Sequence, residues 1–402
     1  MSAQSEIKDY VEGFYDGPHA TPKESDHGPI FLGIKNVTPD GRLDFSEIRH
    51  VSPEEFPRWT KRVVPQKDDI VFSYEATLHR YALIPEGFIG CLGRRMALIR
   101  PDRAKINPRF LHYYMLSSAW RKEAEASIIS GATVDRIPLT KVPNFKVDFP
   151  PLTQQEIIAE ILSCYDDLIE NNKRRIELLE ESARQLYKEW FVRFRFPGHE
   201  HVKIINGVPE GWQRLKISDL CTVGRGASPR PIQNYMDGEI PWFKIADATA
   251  SESPFIFETK EKVIESGAQK SVYLPEGELI LSNSATCGVP NFTGVKGCIH
   301  DGWLYFKGLN TVHKWFLYLY LVFQQRALLQ GIGEGATQKN LNTTYVGNQV
   351  VTIPGSDTLL QSFTDLVEPV FMQIKTLAIY NRQLSQARDL LLPKLMKGEI
   401  AV

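Results

Sequence analysis

The sequence predicts an α+β fold. Two mixed α/β domains are expected to be separated by two long antiparallel helices packed as a coiled coil, in a pseudo-two-fold internal repeat. Three observations predict it. First, the 402-residue chain is written twice: Gly131-Ala132-Thr133 recurs as Gly335-Ala336-Thr337, a shift of 204 (335 − 131). Ile7-Lys8-Asp9 and Gly28-Pro29-Ile30 face Ile217-Ser218-Asp219 and Gly238-Glu239-Ile240 at a shift of 210 (217 − 7), and Ser73, Ala76 and Thr77 face Ser282, Ala285 and Thr286. Second, the apolar period changes after each copy from about 2 to about 3.5. Third, the segment Phe194–Trp212, rich in proline and glycine, breaks helix and strand alike between the copies. Copies of roughly 200 residues are too long for solenoid units of ~20–50. A duplicated binder suits a target that also comes in two halves.

In the first copy, Ile30–Val37, Ile70–Tyr74, Phe88–Ile99 and Phe145–Phe149 read as short β-rich runs punctuated by Pro, Gly and Asp. Pro108–Ser127 fits one amphipathic helix, with Phe110, Tyr113, Tyr114, Leu116 and Trp120 as expected core. The second copy repeats the order. Ile240–Ile245, Leu279–Ser282 and Trp303–Phe306 read as strands, Val312–Leu329 as the matching helix and Gln349–Ile353 as the closing strand.

From Thr153, the residues Ile161, Tyr165, Leu168, Asn172, Ile176, Leu179, Ala183, Leu186 and Trp190 recur at steps of 3 and 4, a coiled-coil seam with one irregular step at Asn172–Ile176. Thr153 with Glu156 is a capping box for its start. At ~1.5 Å per residue, Thr153–Phe191 would span about 58 Å, too long for a small domain's core, so it is expected to pair with its counterpart. The second helix shows Phe363, Leu366, Val370, Leu377, Leu384 and Leu391, with Tyr380 and Ala387 between them. Pro369 interrupts it and predicts a kink or a fresh start. Asn172 is either a register device in the seam or an amide on a solvated edge.

Composition narrows the class. Hydrophobic residues make up 43% and charged residues 24%, the proportions of a soluble globular protein. Five cysteines without a CxxC pair point to a reducing cytoplasm. The polar start MSAQSEIKDY does not read as a signal peptide. The apolar run Trp315–Phe323 is far shorter than the ~20 residues of a membrane span. The net charge of −1 counts mildly against a nucleic-acid binder unless basic and acidic residues face different ways.

Catalytic motifs are missing. Gly331-Ile332-Gly333-Glu334-Gly335 resembles a phosphate loop, but it follows a helical run and has no Lys-Ser/Thr, so it reads as a surface loop. The one Pro-Pro, Pro150-Pro151, lies between Phe149 and Leu152, which is not the Asn/Asp-Pro-Pro-aromatic element of an adenine methyltransferase. His199 and His201 lack a third ligand and read as exposed linker. No metal site is expected.

If the target is DNA, contacts fall to polar and basic loop residues. In the first copy these are Lys61, Arg62, Arg94, Arg95, Thr133 and Arg136. In the second they are Arg225, Arg230, Lys244, Asn283, Thr337, Gln338, Lys339 and Asn340. Arg and Lys pair with guanine, and Asn and Gln with adenine, through bidentate hydrogen bonds. For each, the plain alternative is a solvated surface side chain. Lys173-Arg174-Arg175, Arg193 and Arg195 would suit phosphates or a charged coiled-coil flank equally.

The chain resembles the specificity (S) subunit of type I restriction-modification systems. Pro150-Pro151-Leu152-Thr153-Gln154-Gln155-Glu156-Ile157-Ile158-Ala159 carries the resemblance, with Lys188-Glu189-Trp190-Phe191-Val192-Arg193-Phe194-Arg195-Phe196-Pro197. So do Val208-Pro209-Glu210-Gly211-Trp212, Leu390-Leu391-Leu392-Pro393-Lys394-Leu395 and Gly398-Glu399-Ile400. The resemblance implies a target-recognition domain at residues 1–150, a central conserved helix at 151–196 and a linker at 197–212. A second target-recognition domain at 213–354 and a C-terminal conserved helix at 355–402 complete it. Each domain would read half of a bipartite site in double-stranded DNA. The helices would set the spacer and dock two modification (methyltransferase) subunits, which restriction (translocase/nuclease) subunits would join. S-adenosylmethionine, ATP and Mg would sit on those partners, with no cofactor and no catalysis in this chain, in the cytoplasm.

The departures have consequences. The first half begins almost at Ile7 without a Pro-Glu-Gly-Trp start, so its first strand is expected to be incomplete or supplied from the C-terminal end. Pro354-Gly355-Ser356-Asp357 replaces the Pro-Pro-Leu-Thr-Gln-Gln-Glu pattern, so a less regular second docking surface is expected. The two rival readings are a single-chain nucleotide-binding enzyme built on Gly331–Gly335 and a coiled-coil interaction protein with no DNA role.

Overall fold

The computed structural model describes residues 5–131, 134–330, 340–400 and 402. The chain divides into two compact units, Met1–Leu168 with Leu384–Val402, and Ile169–Gln383. Each contains one α/β domain and part of both long helices.

In the first unit, an antiparallel sheet runs in the order Val11–Asp16, Met96–Pro101, Ile70–Ser73, Tyr81–Leu83. Ile70–Ser73 is buried along its whole length, which explains why it reads as a continuous apolar run. A second sheet places Ser25–Leu32 between Arg49–His50 and Gly90–Leu92, and pairs it with the latter in parallel. Two long expected strands are shorter than the sequence suggested. Ile30–Val37 ends at Leu32 because the Asn36 side chain accepts from Gly33 N at 3.0 Å and turns the chain. Phe88–Ile99 splits at a turn where Arg95 takes φ 69°. The expected helix Pro108–Ser127 is two, Pro108–Leu116 and Ser118–Glu125. Ser117 is extended, and its hydroxyl and N–H both donate to Tyr114 O (2.6 and 3.0 Å), closing one helix as the next begins.

The second unit holds a five-stranded sheet in the order Thr222–Arg225, Trp303–Lys307, Leu279–Ser282, Pro290–Thr293, Phe255–Ile256. Its four-stranded sheet runs Lys262–Val263, Met236–Phe243, Gly297–Ile299, Val272–Leu274. The helix Thr311–Gln330 is continuous.

The duplication is visible bond by bond. Ser5 pairs with Val147 and Leu215 with Val351, which are positions 210 and 204 residues apart. Ile7 N donates to Phe145 O and Ile217 N to Gln349 O, both at 3.0 Å. The first strand of the first copy is short, Ser5–Glu6 against five residues in Trp212–Lys216. The C-terminal end adds side chains there and not a strand: Leu395 is buried in the first unit's core, with Leu391, Leu392, Met396 and Ile400 packed on it.

Two motif segments have packing explanations. Gln155 is buried, accepts from Asn107 N (3.0 Å) and donates to Pro150 O (2.9 Å), tying the start of the central helix to that of Pro108–Leu116. Trp190 and Phe191 lie in a π-helical turn, Lys188–Val192, with Phe191 4.8 Å from both Phe316 and Phe363. Trp212 closes on Phe191, Phe194 and Phe196 at 5.8, 5.3 and 5.2 Å. These residues form an aromatic lock in the core of the second unit.

The long helices are Leu152–Tyr187 and Asp357–Met396. In the second unit Asn172 meets Asn381 and Trp190 meets Phe363, so the pair runs antiparallel. In the first unit Asp166 meets Arg388 and also accepts from the Tyr113 hydroxyl (2.5 Å each), which joins both helices to the domain. The central helix begins at Leu152, ahead of the expected cap. Pro151 O accepts from Gln155 N, so Thr153 lies inside the first turn and not at the cap. Pro369 does not interrupt the second helix. Pro369 and Asp365 are exposed, so the Asp365 carbonyl that loses its N–H partner lies on the solvent side while Val367 and Phe371 stay buried. The buried stripe also differs from the one drawn from the sequence. Leu168, Leu366 and Tyr380 are 45%, 52% and 54% exposed, and Ile169, Val367 and Ile374 are buried instead. A 3.6-residue helix drifts ~20° per heptad from a 3.5 repeat, so a seam extrapolated from one end leaves the buried face.

Asn172 and Asn381 are both buried. Asn172 Nδ2 donates to Asn381 Oδ1 (2.9 Å), and Asn381 Nδ2 donates to Ile169 O (3.4 Å). Asn172→Leu leaves a buried amide oxygen without its donor and is expected to cost about 1–3 kcal/mol. Asn172→Leu with Asn381→Leu is expected to recover most of that loss in urea unfolding of the intact chain. A double variant as unstable as the single one would show that the amide pair does not hold the seam.

Candidate nucleic-acid interface

In each unit three backbone segments meet in one loop cluster. In the first, Ser73 Oγ donates to Thr77 O, Tyr74 N to Arg95 O (3.2 Å), Ala76 N to Asp135 O (3.0 Å) and Ile137 N to Tyr74 O (2.8 Å). In the second, Ser282 Oγ donates to Thr286 O (2.6 Å), Asn283 N to Gly302 O (2.8 Å) and Leu341 N to Asn283 O (2.9 Å). Ala76 and Ala285 take φ 70° and 54°, a left-handed conformation that costs a non-glycine residue about 1 kcal/mol or more. Both copies keep this strained turn, so its shape is held by its neighbours.

The charges differ between the clusters. In the first, Arg95 Nε donates to Glu75 Oε1 (2.9 Å). Arg62 donates to Gly17 O (2.8 Å) and lies 3.3 Å from Asp16 Oδ2, which His19 also contacts (2.7 Å). Lys61 is exposed and, with Arg58, Trp59 and Arg62, lines a cleft of about 370 Å³. Arg94 and Arg136 are exposed or nearly so, with no side-chain partner among the described residues.

In the second cluster the organiser is an acid. Asp301 O accepts from Arg225 Nε (2.8 Å) and Asn283 Nδ2 (3.0 Å). Its carboxylate accepts from Ser228 Oγ (2.8 Å), with His300 Nε2 at 2.8 Å and Arg230 Nη2 at 3.6 Å. Burial alone would raise this carboxyl. The Ser228 hydrogen bond and the nearby His300, Arg225 and Arg230 outweigh it and hold the group below the usual carboxylate range. Lys244 pairs with Glu261 (2.5 Å) and sits 4.7 Å over the Trp242 ring, which contacts His300 at 5.4 Å.

The structure brings Arg95 and Arg136 to the Tyr74–Glu75 turn, and Arg225 and Arg230 to Asp301. Asn283 is different: it is only 2% exposed, so it braces the Asp301 loop and is not a surface contact. Thr133, Thr337, Gln338, Lys339 and the Gly331–Gly335 loop lie outside the described residues. Asn340 is exposed. The groups that position these cations, Glu75, Asp301, Ser228 and Glu261, are acids and a hydroxyl that residue type alone does not mark as part of a DNA-facing cluster. The signal for Asp301 was its place: it stands 207 residues after Arg94 (301 − 94), in the turn before the strand that matches Met96–Pro101.

A family profile described as the type I restriction modification DNA specificity domain matches residues 34–181 and 209–361. The chain belongs to this family. The first matched segment takes in one loop cluster and most of the central helix, the second the other loop cluster and the start of the second long helix. Among relatives, the type I restriction enzyme MjaIX specificity subunit of Methanocaldococcus jannaschii is 28% identical over 302 residues, covering 72% of this chain and 68% of its own. The type I restriction enzyme HindI specificity subunit of Haemophilus influenzae is 22% identical over 444 residues, covering 92% and 94%. The crystal structure of the type I restriction-modification S subunit from M. genitalium shares the fold, with a TM-score of 0.59 at 15% identity over 98% of this chain and 95% of that one. Among the described residues no helix is long and apolar enough to cross a membrane.

Because the Asp301 carboxyl is lowered on folding, its stabilising contribution is present above the unfolded value of about 4 and fades as pH falls below it. Asp301→Asn is therefore expected to unfold at lower temperature than the parent at pH 7, and the gap is expected to narrow near pH 3. An equal gap at both pH values would show that the carboxylate charge does not organise the cluster.

Proposed function

We infer that the chain is the DNA-recognition subunit of a type I restriction-modification complex. One observation carries this: two copies of one backbone loop cluster, bearing different polar groups, are built onto a single antiparallel helix pair in a chain of the specificity family. Each domain reads one half of a bipartite site in double-stranded DNA. Basic groups meet phosphate, and loop side chains read base edges. The long helices set the spacer between half-sites and dock two modification subunits. Restriction subunits join that assembly. The chain is non-catalytic and works in the cytoplasm, with S-adenosylmethionine, ATP and Mg held by the partners.

The test is a map of methylated adenines in host cells with and without this chain and its modification partner. A bipartite motif that disappears with the chain is expected. No chain-dependent motif would overturn the function.

Removing one heptad from each long helix is expected to shorten the spacer by about three base pairs, from ~1.5 Å per residue and ~3.4 Å per base pair. Both half-site sequences stay as they were. An unchanged spacer in the deletion strain would refute the helices as the ruler.

Among the eight described candidate cations, Arg62, Arg95, Arg230 and Lys244 are already paired with acids of the same chain. The purified chain alone is therefore expected to bind random duplex weakly and with a shallow salt dependence in a titration from 50 to 200 mM salt. Tight binding with a steep slope would contradict the view that partners supply most of the electrostatic grip.

A further inference from the structure

We propose that Arg136 and Asn340 are equivalent specificity-determining residues, Arg136 reading a guanine in one half-site and Asn340 an adenine in the other. The inference rests on the DNA-recognition function above and assigns which residues discriminate bases.

The equivalence comes from the backbone. Ile137 N donates to Tyr74 O (2.8 Å) and Leu341 N donates to Asn283 O (2.9 Å), the same bond in the two copies. The residues just before these donors, Arg136 and Asn340, are 204 apart (340 − 136), the shift found for the whole segment. Each is thus presented from an anchored position beside the strained Ser-x-x-Ala-Thr turn. Arg136 is fixed further, since its N–H and C=O both bond to Ile129 (3.2 and 2.9 Å). An anchored backbone under an exposed side chain is what base reading requires.

The charge environment leaves Arg136 available. Its backbone bridges to Glu75, but the Glu75 carboxylate is occupied by Arg95 Nε (2.9 Å). Neither Arg136 nor Asn340 has a side-chain partner among the described residues, and both are exposed. Arg95 is therefore a positioning residue that neutralises Glu75. In the second copy the turn position equivalent to Arg94 is Asp301, and it is committed to Ser228, His300 and Arg230.

Divergence at this one position separates base reading from phosphate contact. Phosphates are the same at every step of the duplex, so a phosphate-binding position has reason to keep its positive charge in both copies. This position changes from Arg to Asn while the hydrogen bond from the next residue's N–H, Ile137 to Tyr74 O and Leu341 to Asn283 O, is retained. Arg forks onto guanine O6 and N7, and Asn onto adenine N6 and N7, so the change exchanges one bidentate reader for another.

The experiment maps methylated sites in cells that carry the wild-type chain, Arg136→Asn, Arg136→Lys or Asn340→Arg, each with its modification partner. The wild-type motif is expected to hold a guanine in one half and an adenine in the other. Arg136→Asn is expected to relax the guanine position by about ten- to a hundredfold and leave the other half intact. Arg136→Lys keeps the charge but loses the fork, and is expected to relax the same position. Asn340→Arg is expected to change only the other half. A wild-type motif that these variants leave unchanged, or weaken uniformly at every sequence, overturns the assignment and leaves the general function standing. A wild-type chain that directs no sequence-specific methylation overturns both. If Arg136→Asn misfolds, the milder Arg136→Lys decides.

Discussion

The antiparallel seam between the two long helices is the constraint on which the rest depends. In either unit the facing residues have numbers that add to 553 or 554, as with Asn172 and Asn381, Trp190 and Phe363, and Asp166 and Arg388. Apolar seams tolerate slippage, because leucine packs on leucine in several registers. Buried polar pairs do not, because a slip of one turn leaves an amide or a charge without its partner in a low-dielectric interior. The seam places a buried amide pair in the second unit and a half-buried ion pair, Asp166 with Arg388, in the first. Each domain is then fastened to the seam by side chains. Tyr113 bonds Asp166 in the first unit, and Lys173, Lys375 and Arg382 pair with Glu252, Glu276 and Glu258 in the second. In the second unit both helices are fastened to the domain, so a slip of one past the other would break one set of these attachments.

The domains repeat backbone and vary charge. Strand register, the Asp9 and Asp219 bonds to Glu6 N and Lys216 N, and the left-handed alanine of the turn all recur. The ion pairs do not. The first cluster carries its acid at Glu75 and its base at Arg95, whereas the second carries its acid at Asp301 and surrounds it with Arg225, Arg230 and His300. Hydrogen bonds between backbone groups depend little on side-chain identity, so they survive divergence. Surface ion pairs contribute only ~0–1 kcal/mol each, so a domain can exchange them without losing its fold. That difference in cost lets one scaffold carry two reading surfaces.

This division also explains what was legible in the sequence. The duplication, the two long helices and the order of elements follow from hydrophobic period and from short backbone motifs, and the family resemblance rests on residues that turn out to be packing devices. Gln155, Phe191 and Trp212 are examples. The helix face was less legible, since Leu168 and Leu366 fit a 3.5 repeat as well as Ile169 and Val367 fit the real surface. The break at Ser117 was hidden because serine sits as readily within a helical pattern as at its end. At the candidate interface, Asn283 looked like a contact because residue type alone does not reveal burial, and Asp301 escaped notice because a search for DNA contacts counts cations.

Near-neutral charge is the remaining tension with a DNA role, and the ion pairs offer a physical answer. Arg62, Arg95, Arg230 and Lys244 are each opposed by an acid within 4 Å. A cation held in this way keeps its orientation but contributes less long-range field, so it adds little to non-specific attraction. Unopposed groups such as Arg94, Arg136 and Asn340 then stand out against a quiet background. Discrimination depends on the difference between right and wrong sites, and a strong uniform attraction to phosphate adds equally to both. A subunit that reads sequence while its partners grip the duplex gains from being electrically quiet.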